Sequence, residues 1–212
     1  MSDVAGARLG SGIAFWFRWV VATALGLVVA FALFVLIFTV MGEPGDLLFP
    51  VLMTGVGLVV GAFQQWVLRR VLGDAKRWAV ATGVGLGLGI ALALALGDGT
   101  GLGGKILEGT VHGAAIGAIL GTLQFFVLRA RVPEARRWVP ASIVGWAAGA
   151  AAGDAVGYFV EGLDIMVGPV VAAAVTGIAL VALLQPGLRD GPEPGILQST
   201  VLSTSENAFG RD

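Results

Sequence analysis

Few side chains in this sequence are placed to do chemistry. Asp154 stands alone as a charge inside the apolar run from Trp138 to Val160. An ionisable group in such a run is costly to bury and marks an ion path, a proton relay or a specific partner. His112 is the only histidine and follows Glu108 by four residues, which places both on one helix face. With Asp98, Asp154, Glu161 and Asp164 these two could form an acidic group around one imidazole, suited to binding a cation or relaying a proton. The plainer alternative is a set of solvated loop acids and a capping histidine. One histidine and no cysteine are too few ligands for a transition-metal site, so no metal and no cofactor are expected. Gln64 and Gln124 suit hydrogen bonds between helices, worth about 1 kcal/mol each, or the lining of a pore.

Other chemistry is excluded by what is missing. There is no serine–histidine–acid set, no paired general acid and base, and no HExxH. The chain is therefore expected not to be an enzyme. "GTGLGGKI", Gly99 to Ile106, fits the first seven places of the phosphate-binding G-x-x-x-x-G-K-[ST]. Ile106 stands where the magnesium-binding hydroxyl belongs, and no strand precedes it. A hairpin tip is the simpler reading.

The elements that must position these residues follow from composition. The chain has 212 residues, of which 57% are hydrophobic and 13% charged; soluble domains are about a quarter charged. Apolar runs cover Val20 to Met41, Leu47 to Leu68, Trp78 to Gly97, Gly109 to Leu128, Trp138 to Val160 and Ile165 to Leu188. Each is near or above the roughly 20 residues that cross a bilayer as helix. A soluble helix would show a polar face, and these runs are apolar all round. The expected fold is an all-α membrane domain of six transmembrane helices over residues 1–188. A polar tail follows over 189–212. Met1 to Gly12 lacks the features of a cleavable signal, so the first span is expected to be retained.

The runs are not independent. "GAFQQWVLRRVLGDAKRWAVATGVG", Gly61 to Gly85, returns as "GTLQFFVLRARVPEARRWVPASIVG", Gly121 to Gly145. The shared frame is G-x-x-Q-x-x-V-L-R, a basic link, then R-W-x-x-A and a hydroxyl residue. "RWVVATALG" repeats its second half from Arg18, and "GIALVALLQPG" keeps Gly177 and the leucines of the first half without its glutamine or arginine. Three helical hairpins are expected, at about 13–72, 77–132 and 137–188. Two spans per unit keep all copies in one orientation, as a parallel repeat. Pro186 and Gly187 are expected to end the sixth helix.

Charge sets the orientation. Arg8 and Arg18 precede the first span. Arg69, Arg70, Lys76 and Arg77 fill one even-to-odd link, and Arg129, Arg131, Arg136 and Arg137 the other. The odd-to-even links hold Glu43, Asp46, Asp98, Glu108, Glu161 and Asp164, with Lys105 as their one basic residue. Short-loop Lys/Arg bias puts both termini and the basic links in the cytoplasm. The pairs Arg18/Trp19, Arg77/Trp78 and Arg137/Trp138 then fall at cytoplasmic helix ends, where they are expected to be interfacial anchors. The alternative is a basic patch for anionic lipid or a cytosolic partner.

Glycine is the other signal, with 34 in the chain. Gly145, Gly149, Gly153 and Gly157 recur every fourth residue. Gly113, Gly117 and Gly121 do so on the fourth span, and Gly85 and Gly89 on the third. Such stripes let backbones approach where lipid gives no hydrophobic drive, so helix packing is expected of them.

The repeated frame, over most of Arg18 to Gly177, resembles a loose group of uncharacterised bacterial multi-pass membrane proteins built from tandem helical hairpins. The resemblance implies a bacterial cytoplasmic membrane location and carries no catalytic or binding residue with it. The expected function is a non-catalytic accessory or assembly subunit of a membrane complex. The alternative is a small transporter or channel, with a polar path near Asp154, Gln64 and Gln124. The expected partners are the lipid bilayer and protein subunits or further copies of the chain, with no nucleic acid. The tail, with Ile196, Leu197, Val201, Leu202 and Phe209, is expected to lie against the cytoplasmic face or a partner, or to be disordered.

Overall fold

The computed structural model describes the backbone of residues 2–42, 48–73, 75–96 and 101–189, and side-chain surroundings for 11–40, 42, 48–73, 75–96 and 103–184. Every regular element among these residues is helical. In chain order they are α1 (Ser2–Met41), α2 (Phe49–Leu72), α3 (Trp78–Leu94), α4 (Gly101–Leu128), a 3-10 turn (Ala135–Arg137), α5 (Trp138–Gly157) and α6 (Asp164–Arg189). Five of the six long helices have the length and apolar content to cross a membrane. The exception is α3, with 17 residues. At ~1.5 Å per residue it reaches about 26 Å, just short of the ~30 Å hydrocarbon core.

Three boundaries differ from expectation. Helix α1 starts at Ser2, well before the charge-free run at Val20. Helix α4 starts at Gly101, so the part of the phosphate-loop look-alike from Gly101 to Ile106 is its first turns, with Lys105 Nζ bound to Glu108 Oε2 at 3.0 Å. Helix α6 does not stop at Pro186 and Gly187 but continues to Arg189. Proline's fixed φ fits a helix, and at 186 its missing N–H forfeits one bond, to the carbonyl of Ala182. The tail beyond 189, and the tip residues Glu43, Asp46 and Asp98, lie outside the described residues.

Each helix packs on its neighbours in sequence, and α6 packs back on α1, so the six form a closed ring. Glycines set the spacing at its interfaces. A Cβ on Gly61 of α2 would lie 2.7 Å from Ala79 Cα of α3. A Cβ on Gly85 would lie 2.8 Å from Leu120 Cα, one on Gly89 2.9 Å from Ile116 Cα, and one on Gly117 2.5 Å from the Ser142 carbonyl oxygen. Gly113 meets the Trp146 carbonyl, Gly121 the Ser142 side chain, and Gly145 and Gly149 face Thr176 and Gly168 of α6. Gly153 and Gly157 face Asp164. At Gly61, Gly85, Gly89, Gly113, Gly117 and Gly149 no side chain fits without moving a backbone. The α2–α3 link turns at Gly73, whose φ of 71° suits glycine and whose N–H donates to the Arg69 carbonyl at 3.1 Å.

Candidate functional site

The R-W frame places Trp19, Trp78 and Trp138 at the first turns of the apolar parts of α1, α3 and α5. Their rings are 1%, 0% and 1% exposed. Trp78 stands between the other two, with ring centroids 5.8 Å from each. Buried with them are Leu68, Leu128, Leu180 and Leu184 from the even helices, and Ala75, Val132 and Ala135 from the links. These rings therefore meet protein rather than headgroups, which departs from the anchoring expected of them. Their indole N–H groups explain the difference. A buried indole needs an acceptor, and a glutamine on another helix supplies it.

Trp78 Nε1 donates to Gln64 Oε1 at 3.0 Å, and Gln64 Nε2 donates to Thr23 Oγ1 at 3.0 Å. Thr23 in turn donates to the Trp19 carbonyl at 3.0 Å. The same relay recurs one hairpin on. Trp138 Nε1 donates to Gln124 Oε1, Gln124 Nε2 to Thr82 Oγ1, both at 3.0 Å, and Thr82 to the Trp78 carbonyl at 2.9 Å. Each glutamine joins the odd helix before it, through a hydroxyl, to the odd helix after it, through an indole.

Around the ring a third relay would join Ser142 of α5 to Trp19 of α1 through α6. Gly177, in register with Gly61 and Gly121, lies against the Trp19 ring, and three residues on stands Leu180, 0% exposed. Leucine offers no amide. Trp19 Nε1 and Ser142 Oγ are both buried and find no hydrogen-bond partner among the described residues. These are the two groups that a glutamine at 180 would join.

The tryptophan and leucine cluster closes one end of the ring. Beyond it lies a central cavity of about 280 Å³, lined by residues from all six helices. Gln64, Thr23, Thr82 and Gln124 line it at the closed end. Asp154 and Asp164 line it at the other, about 24 Å from Trp138 along α5 at ~1.5 Å per residue. Between them the lining is mainly hydrocarbon, with Trp146 and with Thr176, whose hydroxyl donates to the Ala172 carbonyl at 2.7 Å. Asp154 packs against Gly109 of α4, while Glu108 and His112 flank that glycine. His112 Nδ1 is 3.8 Å from Glu108 Oε1. Among the described residues, no three His, Cys, Asp or Glu side chains gather closely enough to hold a metal ion.

Arg18, Arg77 and Arg137 are exposed at the closed end. Arg131 donates to the Leu72 carbonyl, tying one basic link to the other. Arg137 Nε lies 3.1 Å from Glu134 Oε2. An aromatic ring does face outward here: Trp66 is 51% exposed, with the Arg70 guanidinium 4.3 Å from its centre.

The structure thus brings Gln64 and Gln124 into one floor with Trp19, Trp78 and Trp138, and gathers Asp154, Glu108 and His112 near the opposite end. Sequence reasoning missed the tryptophan–glutamine pairing. Its trace is the constant spacing of 14 residues from Gln64 to Trp78 and from Gln124 to Trp138. No protein-family description, curated protein or solved structure matches the chain.

Proposed function

We propose that the chain is a non-catalytic integral membrane protein, an accessory or assembly subunit that crosses the bilayer six times as three hairpins, with both termini cytoplasmic. One observation carries this reading: the polar residues of the repeat are spent on one another. Gln64, Gln124, Thr23 and Thr82 are bound in relays that knit odd and even helices together, and they sit against a solid cluster of indoles. A channel would keep such groups free to face a continuous wet path. The wide exposed apolar face of α1, including Ile13, Phe17, Leu25, Val28 and Leu36, suits lipid or a neighbouring subunit.

Reconstitution tests the reading. Proteoliposomes should show no ion or solute flux above protein-free vesicles, and isolation in mild detergent should return a partner of fixed stoichiometry. A second reading, a small transporter, is favoured by the carboxylates at the open end of the cavity. A flux that Asp154→Asn abolishes would establish it and overturn the first.

A further inference from the structure

The central cavity has two features that together select one class of small molecule. Its middle is hydrocarbon, built by Leu27, Val60, Leu86 and Ile116. Its end carries two carboxylates, Asp154 and Asp164, with the indole of Trp146 also in the wall. Neither carboxylate makes a salt bridge among the described residues, although Lys105 and His112 are near enough to Asp154 to attract it. Two acids against a hydrocarbon wall repel one another and lose hydration.

We propose that this cavity binds a compact organic cation, a quaternary ammonium group with an apolar body. The charge lies by Asp154 and Asp164, and the body fills the hydrocarbon middle. A bare metal ion would need several ligands at close range, and among the described residues no three such side chains come close enough. A quaternary ammonium asks only for diffuse negative charge beside an apolar wall, which the carboxylates and the hydrocarbon lining provide. The cavity size suits a small ligand. An anion would meet the carboxylates, and a hydrophilic cation would meet the hydrocarbon. This inference goes beyond the proposed subunit role and holds whether or not the chain has a partner.

Equilibrium dialysis of radiolabelled benzyltrimethylammonium against the full chain in lipid nanodiscs tests it. The expected result is saturable binding of one cation per chain. Neopentylbenzene, the neutral molecule of the same shape, should not compete. Asp154→Asn combined with Asp164→Asn should weaken binding at least about tenfold. Leu86→Trp fills the hydrocarbon middle while leaving the carboxylates in place, and it should abolish binding even if the paired Asn variant fails to fold. Uptake no greater than that of empty nanodiscs would overturn the proposal. So would equal competition by the neutral molecule, or wild-type binding by the Leu86→Trp protein.

Discussion

Replacing Leu180 with glutamine should stabilise the protein, although it puts a polar side chain into a site with no exposed surface. Two buried groups now lack partners, Trp19 Nε1 and Ser142 Oγ. Each such group costs roughly 1–3 kcal/mol. The new amide would accept from the indole and donate to the hydroxyl, as Gln64 and Gln124 do at the sister positions. Against this stands the lost burial of leucine, roughly 1.5–3 kcal/mol. The rotamer freedom that glutamine loses adds up to about 2 kcal/mol. These terms nearly cancel. At mid-range the two relieved groups recover about 4 kcal/mol against about 3 kcal/mol lost, which leaves a small surplus. The expected gain is about 1 kcal/mol, or roughly 2–4 °C in Tm for a chain of this size. Thermal unfolding in mild detergent, followed by circular dichroism, measures it. Leu180→Met, of similar shape without an amide, is the reference. Adding Ser142→Ala to both should erase about half of the difference, because the two sites then share a lost bond. A glutamine variant less stable than the methionine one, with no coupling to Ser142, would refute the third-relay argument.

The converse changes should destabilise. Gln64→Leu and Gln124→Leu each leave one indole without an acceptor, while Thr23 and Thr82 keep their bonds to the Trp19 and Trp78 carbonyls, and each should lower stability by about 1–3 kcal/mol in the same unfolding assay. Gly117→Ala drives a Cβ to 2.5 Å from the Ser142 carbonyl oxygen and should cost about 1–3 kcal/mol. Gly55→Ala meets nothing within 4 Å and should be neutral or slightly stabilising, so equal effects of the two would disprove the packing role. For topology, the cysteine-free background permits single-cysteine labelling. An impermeant thiol reagent should label Glu161→Cys in intact cells and spare Arg136→Cys; the opposite pattern would invert the proposed orientation.

The helices were legible because apolar length and a 60-residue spacing survive in one dimension. Asp154 was legible for a similar reason, as one charge in an apolar run; that Glu108 and His112 of α4 flank the glycine it packs against depends on the α4–α5 packing. The tryptophans were misplaced because residue type and position both matched a headgroup anchor. What decides their location is an acceptor on another helix, and the repeat displays Trp and Gln in one frame without showing that they touch. The hydroxyl that closes R-W-x-x-A-[ST] was visible too, but its role needs the ring: Thr23 and Thr82 receive glutamines from helices 41 and 42 residues further on. The run of α6 through Pro186 was hidden because local propensity favours a stop there.

The missing glutamine sits where the ring must close on itself. Five of its junctions join helices that are consecutive in the chain. The sixth, α6 to α1, has no such link and depends on contacts alone. Those contacts are unlike the others. At each of the other five junctions at least one glycine meets backbone: Gly26 faces Val60 Cα, Gly61 Ala79 Cα, Gly85 Leu120 Cα, Gly117 the Ser142 carbonyl and Gly149 the Gly168 carbonyl. At the α1–α6 seam, Gly12 and Gly177 meet the side chains of Val181, Trp16 and Trp19. One hydrogen bond crosses by side chain, from Trp16 Nε1 to the Ala174 carbonyl at 2.9 Å. Side chains can shift by rotamer changes where packed backbones cannot. The two orphaned polar groups, the lost relay and the softer contact therefore coincide at one interface. If the ring opens sideways, whether to admit a ligand to the cavity or to take up a neighbouring helix, the physics of the other five junctions directs that opening to this seam.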